Sequence, residues 1–278
     1  MINKLITNET PLVICDIGAS PVDPTPLIDE LLKNVECFLY GFEPNEEEFK
    51  KLHSTDKKEY FNYAVGNGQI ETLNICSAPG MTSILEPDFE YLKLFHGFSD
   101  WAKVTKKVKV QTKKLDDVNF DKKIDFLKID VQGYEHEVIK NGNKIIKDCL
   151  IIQLETSPIP LYKNEKSFSH VCLQLENLGF QLHSFNEINT RCFKPVILQN
   201  NIYSGLNHLF QLDCVFVKKL NLFDKLDLEQ LKKIALILFY SFGSYDLVDY
   251  VVSIISKLQK DEVILEFRNL MKNIKINK

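Results

Sequence analysis

The sequence predicts an α/β fold built on central parallel strands, and three observations carry that expectation. Residues 11–16, 35–42 and 126–129 are short apolar runs, each closing on a carboxylate (Asp16, Glu43 and Asp130) and followed by turn residues. The run at 27–32, between the first two, has helical apolar spacing. After residue 217 the pattern changes from strands to helices. Open α/β sheets place ligand-handling groups at the carboxyl ends of central strands, where the next loop opens a crevice. The three carboxylates are therefore the first site candidates, with Asp130 foremost. Asp130 could instead cap a helix beginning near Tyr134.

Taken in order, the first strand runs into Ile-Gly-Ala-Ser at 17–20, where small Gly18 and Ala19 let a ligand approach the backbone. A pyrophosphate-binding G-x-G-x-x-G is absent, because one glycine is followed by Pro21, Pro24 and Pro26. That disfavours a NAD-dependent sugar oxidoreductase and leaves a nucleoside-type ligand with a small amino-acid or thioether portion. Glu43, ending strand two one βαβ unit later, is placed to accept hydrogen bonds from both hydroxyls of a ribose. Its alternative is a helix-start acid, since Glu46, Glu47 and Glu48 follow. Residues 59–66 read as a third strand, and 71–76, after a Gly-Asn-Gly turn, as its hairpin partner. The small, polar loop 77–83 either forms a lid, from which Ser83 would approach the ligand, or is an ordinary connection. Lysines between 103 and 114 read as a solvated face. The run at 150–155 ends in Glu155, on a strand expected beside that of Asp130. The segment 156–162 would wall the far side of the cleft, where Tyr162 either stacks on a sugar or covers the core. His208 precedes the last strand, near 209–216.

Composition bounds the function. The 278 residues, 45% hydrophobic with net charge −4, can bury a substantial core and give no basic excess for a general nucleic-acid or membrane-surface binder. The opening Met-Ile-Asn-Lys-Leu-Ile lacks a long apolar h-region and the longest apolar run near the end, 234–240, is far too short to span a bilayer, so neither export nor membrane insertion is expected. Seven widely spaced cysteines without a C-x-x-C pair read as reduced core residues of a cytoplasmic protein, neither a disulfide frame nor a zinc site. Two domains are expected: 1–220, and a helical extension over 221–278 with helices at 227–239, 245–258 and 261–271, a stop at Gly243 and a polar tail at 272–278. The extension's apolar faces need a partner, either the sheet or a second copy in a homodimer.

With Asp-Ile-Gly-Ala-Ser at 16–20, Phe-Glu-Pro-Asn at 42–45, Ala-Val-Gly at 64–66, Lys-Leu-Asp-Asp at 114–117 and Lys-Ile-Asp-Val-Gln-Gly-Tyr-Glu at 128–135, the chain resembles the FkbM family of S-adenosylmethionine-dependent methyltransferases from about 13 to 216. The resemblance implies a class I methyltransferase fold: a Rossmann-like, mostly parallel seven-stranded sheet flanked by helices. It further implies S-adenosylmethionine as cofactor, with Asp16, Gly18 and Ala19 facing the methionine portion, Glu43 the ribose, and Asn62 or Ala64 the adenine edge. Asp130 and Gln132 would line the cleft near the methyl group. Many family members have glutamate at the position of Gln132, and Pro21 to Pro26 replace the usual small-residue helix start.

Methyl transfer to an alcohol needs an acceptor held in line with the S–CH3 bond and a base for its proton. Asp130, Glu155 and His208 are the catalytic candidates, with His96, His136 and His183 beside them as further base-type groups, of which His136 reads as packed or solvated. Ser83, Gln132 and Tyr162 are the acceptor-side candidates. Asp130 and Glu155 together have the oxygen donors of a Mg²⁺ site, but strand ends alone fix no coordination geometry, so no metal is assigned. The reading is an S-adenosylmethionine-dependent methyltransferase acting on a hydroxyl of a sugar or glycan-linked small-molecule acceptor. Its rival is a non-catalytic binding or scaffold protein that keeps the fold.

Overall fold

The computed structural model describes residues 2–21 and 26–272; Pro24 and the tail beyond Lys272 lie outside the described residues. The chain opens with β1 (Leu12–Ile17), α1 (Pro26–Asn34), β2 (Cys37–Phe42), a short α2 (Glu46–Phe49) and β3 (Lys58–Phe61). There follow β4 (Ala64–Val65), β5 (Ile70–Cys76), two single turns, α3 (Phe89–Leu92) and α4 (Phe98–Trp101), and β6 (Val104–Lys113). The second half brings β7 (Phe126–Ile129), α5 (Glu135–Lys140), α6 (Asn143–Asp148), β8 (Ile151–Thr156), α7 (Phe168–Asn177), β9 (Phe180–Thr190) and β10 (Leu209–Lys218). Helices α8 (Leu228–Ile237), α9 (Tyr245–Gln259) and α10 (Val263–Met271) complete it.

Seven strands form one sheet in the order β3-β2-β1-β7-β8-β10-β9, parallel except for β10, which runs antiparallel to both neighbours. The expected mostly parallel seven-stranded sheet is borne out. Every residue of β1 and β7 is buried, which is why these strands read as unbroken apolar runs rather than alternating ones. On one face Val138 of α5 and Val171 and Leu175 of α7 pack with Cys15, Leu127 and Ile152.

The other face is covered largely by the carboxyl-terminal extension. Leu231 and Ile234 of α8 and Val248, Val251 and Ile255 of α9 share a core with Ile14 of β1 and Phe126 of β7. A capping box between Asp227 and Gln230 starts α8, and Gly243 at φ 58° ends the turn before α9, as the cap and stop residues led one to expect. An ion pair bolts the extension to the sheet: Lys233 Nζ lies 2.8 Å from Asp125 Oδ2, both residues buried, and the same carboxylate oxygen accepts Val13 N at 2.9 Å.

One expected pairing is corrected. The third strand and the 71–76 strand are not hairpin partners: β3 pairs parallel with β2, while β5 pairs antiparallel with β6. Phe61 stacks on Phe42 at 5.0 Å and commits β3 to the main sheet, and the chain breaks at Asn62 and Tyr63 before β4 joins β6. The lysine-rich segment is thus a strand, whose Lys107, Lys109 and Lys113 share one exposed face. The seven cysteines are free thiols, five of them buried.

Candidate functional site

The carboxyl ends of β1, β2, β7 and β8 open into one cleft of about 380 Å³, within the range of small-molecule sites. Gly18, Glu43, Ala64, Val65 and Asp130 line it, together with Met81, Ser83, Trp101, Gln132, Glu155 and Gln211. At the floor, Gly18 sits at φ 95° and its N–H donates to Phe42 O at 3.0 Å. A Cβ there would stand 1.9 Å from Asp130 O, so the turn after β1 and the end of β7 touch through bare backbone. Nothing but glycine fits, and a ligand can lie flat across both strand ends.

Glu43 is buried, its Oε1 accepts Asn45 N at 2.7 Å, and burial pushes its carboxyl up to about 7. Asn62 does not line the cleft; its Nδ2 donates to Glu43 O at 2.9 Å and fixes the strand end that carries the acid. Ala19 is likewise behind the wall, its N–H bonded to Phe42 O. Asp16 lies beneath the floor. It is buried, and Lys128 Nζ is 3.3 Å from its Oδ1 and 3.4 Å from Asp130 Oδ2.

Beyond Asp130 the backbone turns through two left-handed residues, Gln132 at φ 55° and Gly133 at φ 92°. Glu135 holds this turn. Its Oε1 accepts the N–H groups of Val131 and Gly133 at 3.2 and 3.0 Å, and burial raises its carboxyl to about 8. The turn aims the Gln132 amide between two acids: Nε2 donates to Asp130 Oδ1 at 2.9 Å and to Glu155 Oε1 at 2.6 Å. Tyr162 OH donates to Gln132 Oε1 at 3.1 Å, and with both carboxylates acting as acceptors this network fits one orientation of the amide. Tyr162 is buried behind Gln132, not on the cleft surface.

Gln211 Nε2 donates to the same Glu155 oxygen at 3.0 Å. Burial, then the neighbouring charges of Asp130 and Asp213, hold the Glu155 carboxyl well above the usual range. Ser83 Oγ donates to Gln132 O at 2.7 Å, and buried Asn74 gathers the carbonyls of Ser83, Ile84 and Leu85, so the 77–83 loop is pinned across the cleft. Trp101 continues that wall, backed by Tyr203 stacked at 5.4 Å and 3°.

Among the described residues, the cleft wall includes no histidine. His208 stacks on Phe95 and packs at a tilt against Phe193, His183 bonds Ser244 and His136 bonds Gln174. Sequence reasoning missed Gln211, Trp101 and Glu135. Gln211 reaches the site only because β10 runs back beside β8, pairing Asp213 with Glu155 two residues away. Glu135 carried a readable signal, an acid two residues after a glycine turn at a strand end.

The set fits a nucleoside bearing an amino-acid tail: a buried acid for paired hydroxyls, a glycine floor, and carboxylates further in for cationic groups. The model of the methyltransferase FkbM domain matches residues 16–182, more than half of the chain. No curated protein matches the sequence. Among solved structures, magnesium protoporphyrin IX methyltransferase from Synechocystis PCC 6803 with bound S-adenosylmethionine is 11% identical over 75% of this chain and 71% of that one, TM-score 0.39. Methyltransferase FkbM from Methylobacillus flagellatus KT is 10% identical over 74% of this chain and 43% of its own, TM-score 0.40.

Proposed function

Since this chain belongs to the FkbM methyltransferase family, we propose that it moves a methyl group from S-adenosylmethionine to a hydroxyl of a sugar or glycan-linked acceptor. The cofactor supplies a methyl group already activated on a cationic sulfur. Glu43 accepts the ribose hydroxyls, the Gly18 floor admits the methionine portion, and Asp130 offers negative charge toward the sulfonium.

The observation that carries the reading is Glu155. Its carboxyl stands on the acceptor side, fixed by the amides of Gln132 and Gln211 and raised by burial. A base of raised pKa suits a hydroxyl proton that leaves late, when carbon–oxygen bonding is advanced. Trp101, flat against Tyr203, offers an apolar face of the kind sugar rings pack on. Positioning supplies the rest, since the loop pinned through Ser83 fixes the wall opposite the cofactor side.

The test is Glu155→Gln, which keeps the shape and the contact to Gln211. Turnover should fall by about 10²- to 10⁴-fold, while S-adenosylmethionine binding stays near that of the unaltered protein. Undiminished turnover would refute Glu155 as the base. Cofactor binding without turnover on any hydroxyl acceptor would favour the scaffold reading.

A further inference from the structure

Lys128 is unusual: a lysine with 6% exposure in the middle of the sheet. Its position follows from register. Asp16 of β1 and Lys128 of β7 are direct partners, so their side chains stand side by side, and Asp130 lies two residues on. The ammonium is therefore bracketed, 3.3 Å from Asp16 and 3.4 Å from Asp130. Asp16 Oδ1 meets Lys128 out of hydrogen-bond alignment and has no hydrogen-bond partner among the described residues. Two carboxylates and one ammonium leave one net negative charge in this cluster, with Asp130 at the cleft wall and Asp16 and Lys128 behind it.

That count matches the ligand. S-adenosylmethionine carries one more positive charge than S-adenosylhomocysteine, and the difference sits on sulfur. We propose that Lys128 is a positioning residue that sets how strongly the cleft discriminates S-adenosylmethionine from S-adenosylhomocysteine. By cancelling one of two acids, it moderates the pull on the sulfonium and keeps Asp130 fixed. The inference rests on the cofactor reading above and adds a residue to it.

Burial raises the Asp16 carboxyl while the Lys128 charge lowers it, so calorimetric titration with both ligands is run at about pH 8, far above the ordinary carboxylate range, and tests the proposal on a ladder of charge. Lys128→Met leaves two negative charges and should raise the ratio of the S-adenosylhomocysteine Kd to the S-adenosylmethionine Kd by about three- to tenfold, the effect of one partly screened charge. Asp16→Asn leaves none and should lower the ratio by a similar factor. The double variant Asp16→Asn with Lys128→Met restores one net charge and should restore the ratio, and Lys128→Arg should leave it unchanged. A residue that merely supports the floor would weaken both ligands alike. An unchanged ratio in Asp16→Asn, or a double variant that departs from the unaltered protein, overturns the proposal even if Lys128→Met does not fold. An unaltered protein that binds neither ligand would overturn the cofactor reading and this inference with it.

Discussion

Replacing Lys233 by methionine should unlatch the carboxyl-terminal extension from the sheet. Lys233 Nζ is 2.8 Å from Asp125 Oδ2 and 3.2 Å from Pro11 O, at a site where Lys233 is 7% and Asp125 6% exposed. Methionine fills the volume but leaves Asp125 buried without its cation. Removing one partner of such a pair costs about 3–5 kcal/mol. Part of that returns if Asp125 takes up a proton, since burial already pushes its carboxyl up and Lys233 is the main influence holding it down. In the variant the folded pKa therefore lies further above the unfolded value. The stability deficit should be full near pH 8 and smaller near pH 5, because a raised folded pKa favours the native state below it and the benefit is lost as pH rises through it. The double variant Asp125→Asn with Lys233→Met removes both charges and should lose less than the single change. Urea unfolding at the two pH values measures all of this. A deficit below about 1 kcal/mol, or one that grows toward pH 5, would refute the account of the pair.

Three further outcomes follow from the cleft. Glu43 is raised to about 7 by burial, so it is neutral below that value and a better ribose acceptor above it; S-adenosylmethionine affinity should rise between about pH 6 and 8, and Glu43→Gln should flatten the dependence while lowering affinity by about tenfold or more in calorimetry. Gly18→Ala places a Cβ 1.9 Å from Asp130 O at φ 95°, and thermal unfolding should show a loss of about 2 kcal/mol or more together with loss of cofactor binding. Glu135 is largely protonated at neutral pH with its carboxyl near 8, so Glu135→Gln, which keeps an acceptor for Val131 and Gly133, should keep its stability within about 1 kcal/mol, whereas Glu135→Ala should release the turn and slow methyl transfer.

What the sequence disclosed follows from where the physical constraint is local. Strands β1, β2, β7 and β8 were legible because burial on both faces demands continuous apolar runs, and a strand end marks itself with a polar residue. Glu43, Asp130 and Glu155 were legible for the same reason. Strand β6 looks like a solvated charge run in the sequence because its lysines record only the exposed face. Edge strand β9, half exposed and irregularly paired, left no clear period. The partition of Asn62 and Tyr162 into supporting positions depends on hydrogen bonds across separate elements, which no local pattern encodes. Gln211 lies 56 residues from the acid it holds, and only the antiparallel return of β10 brings the two together.

The extension that covers one face of the sheet also sets a timetable. Strand β1 leaves the ribosome about 210 residues ahead of α8 and α9, which bury Ile14 and are made only after residue 227. At translation speeds of about 5–20 residues per second, the nascent chain holds an uncovered apolar sheet face for on the order of 10–40 s. Chains that stop short of α9 would keep that face permanently, making truncated products candidates for chaperone capture, and co-translational folding of the cleft would wait for its most distant helices.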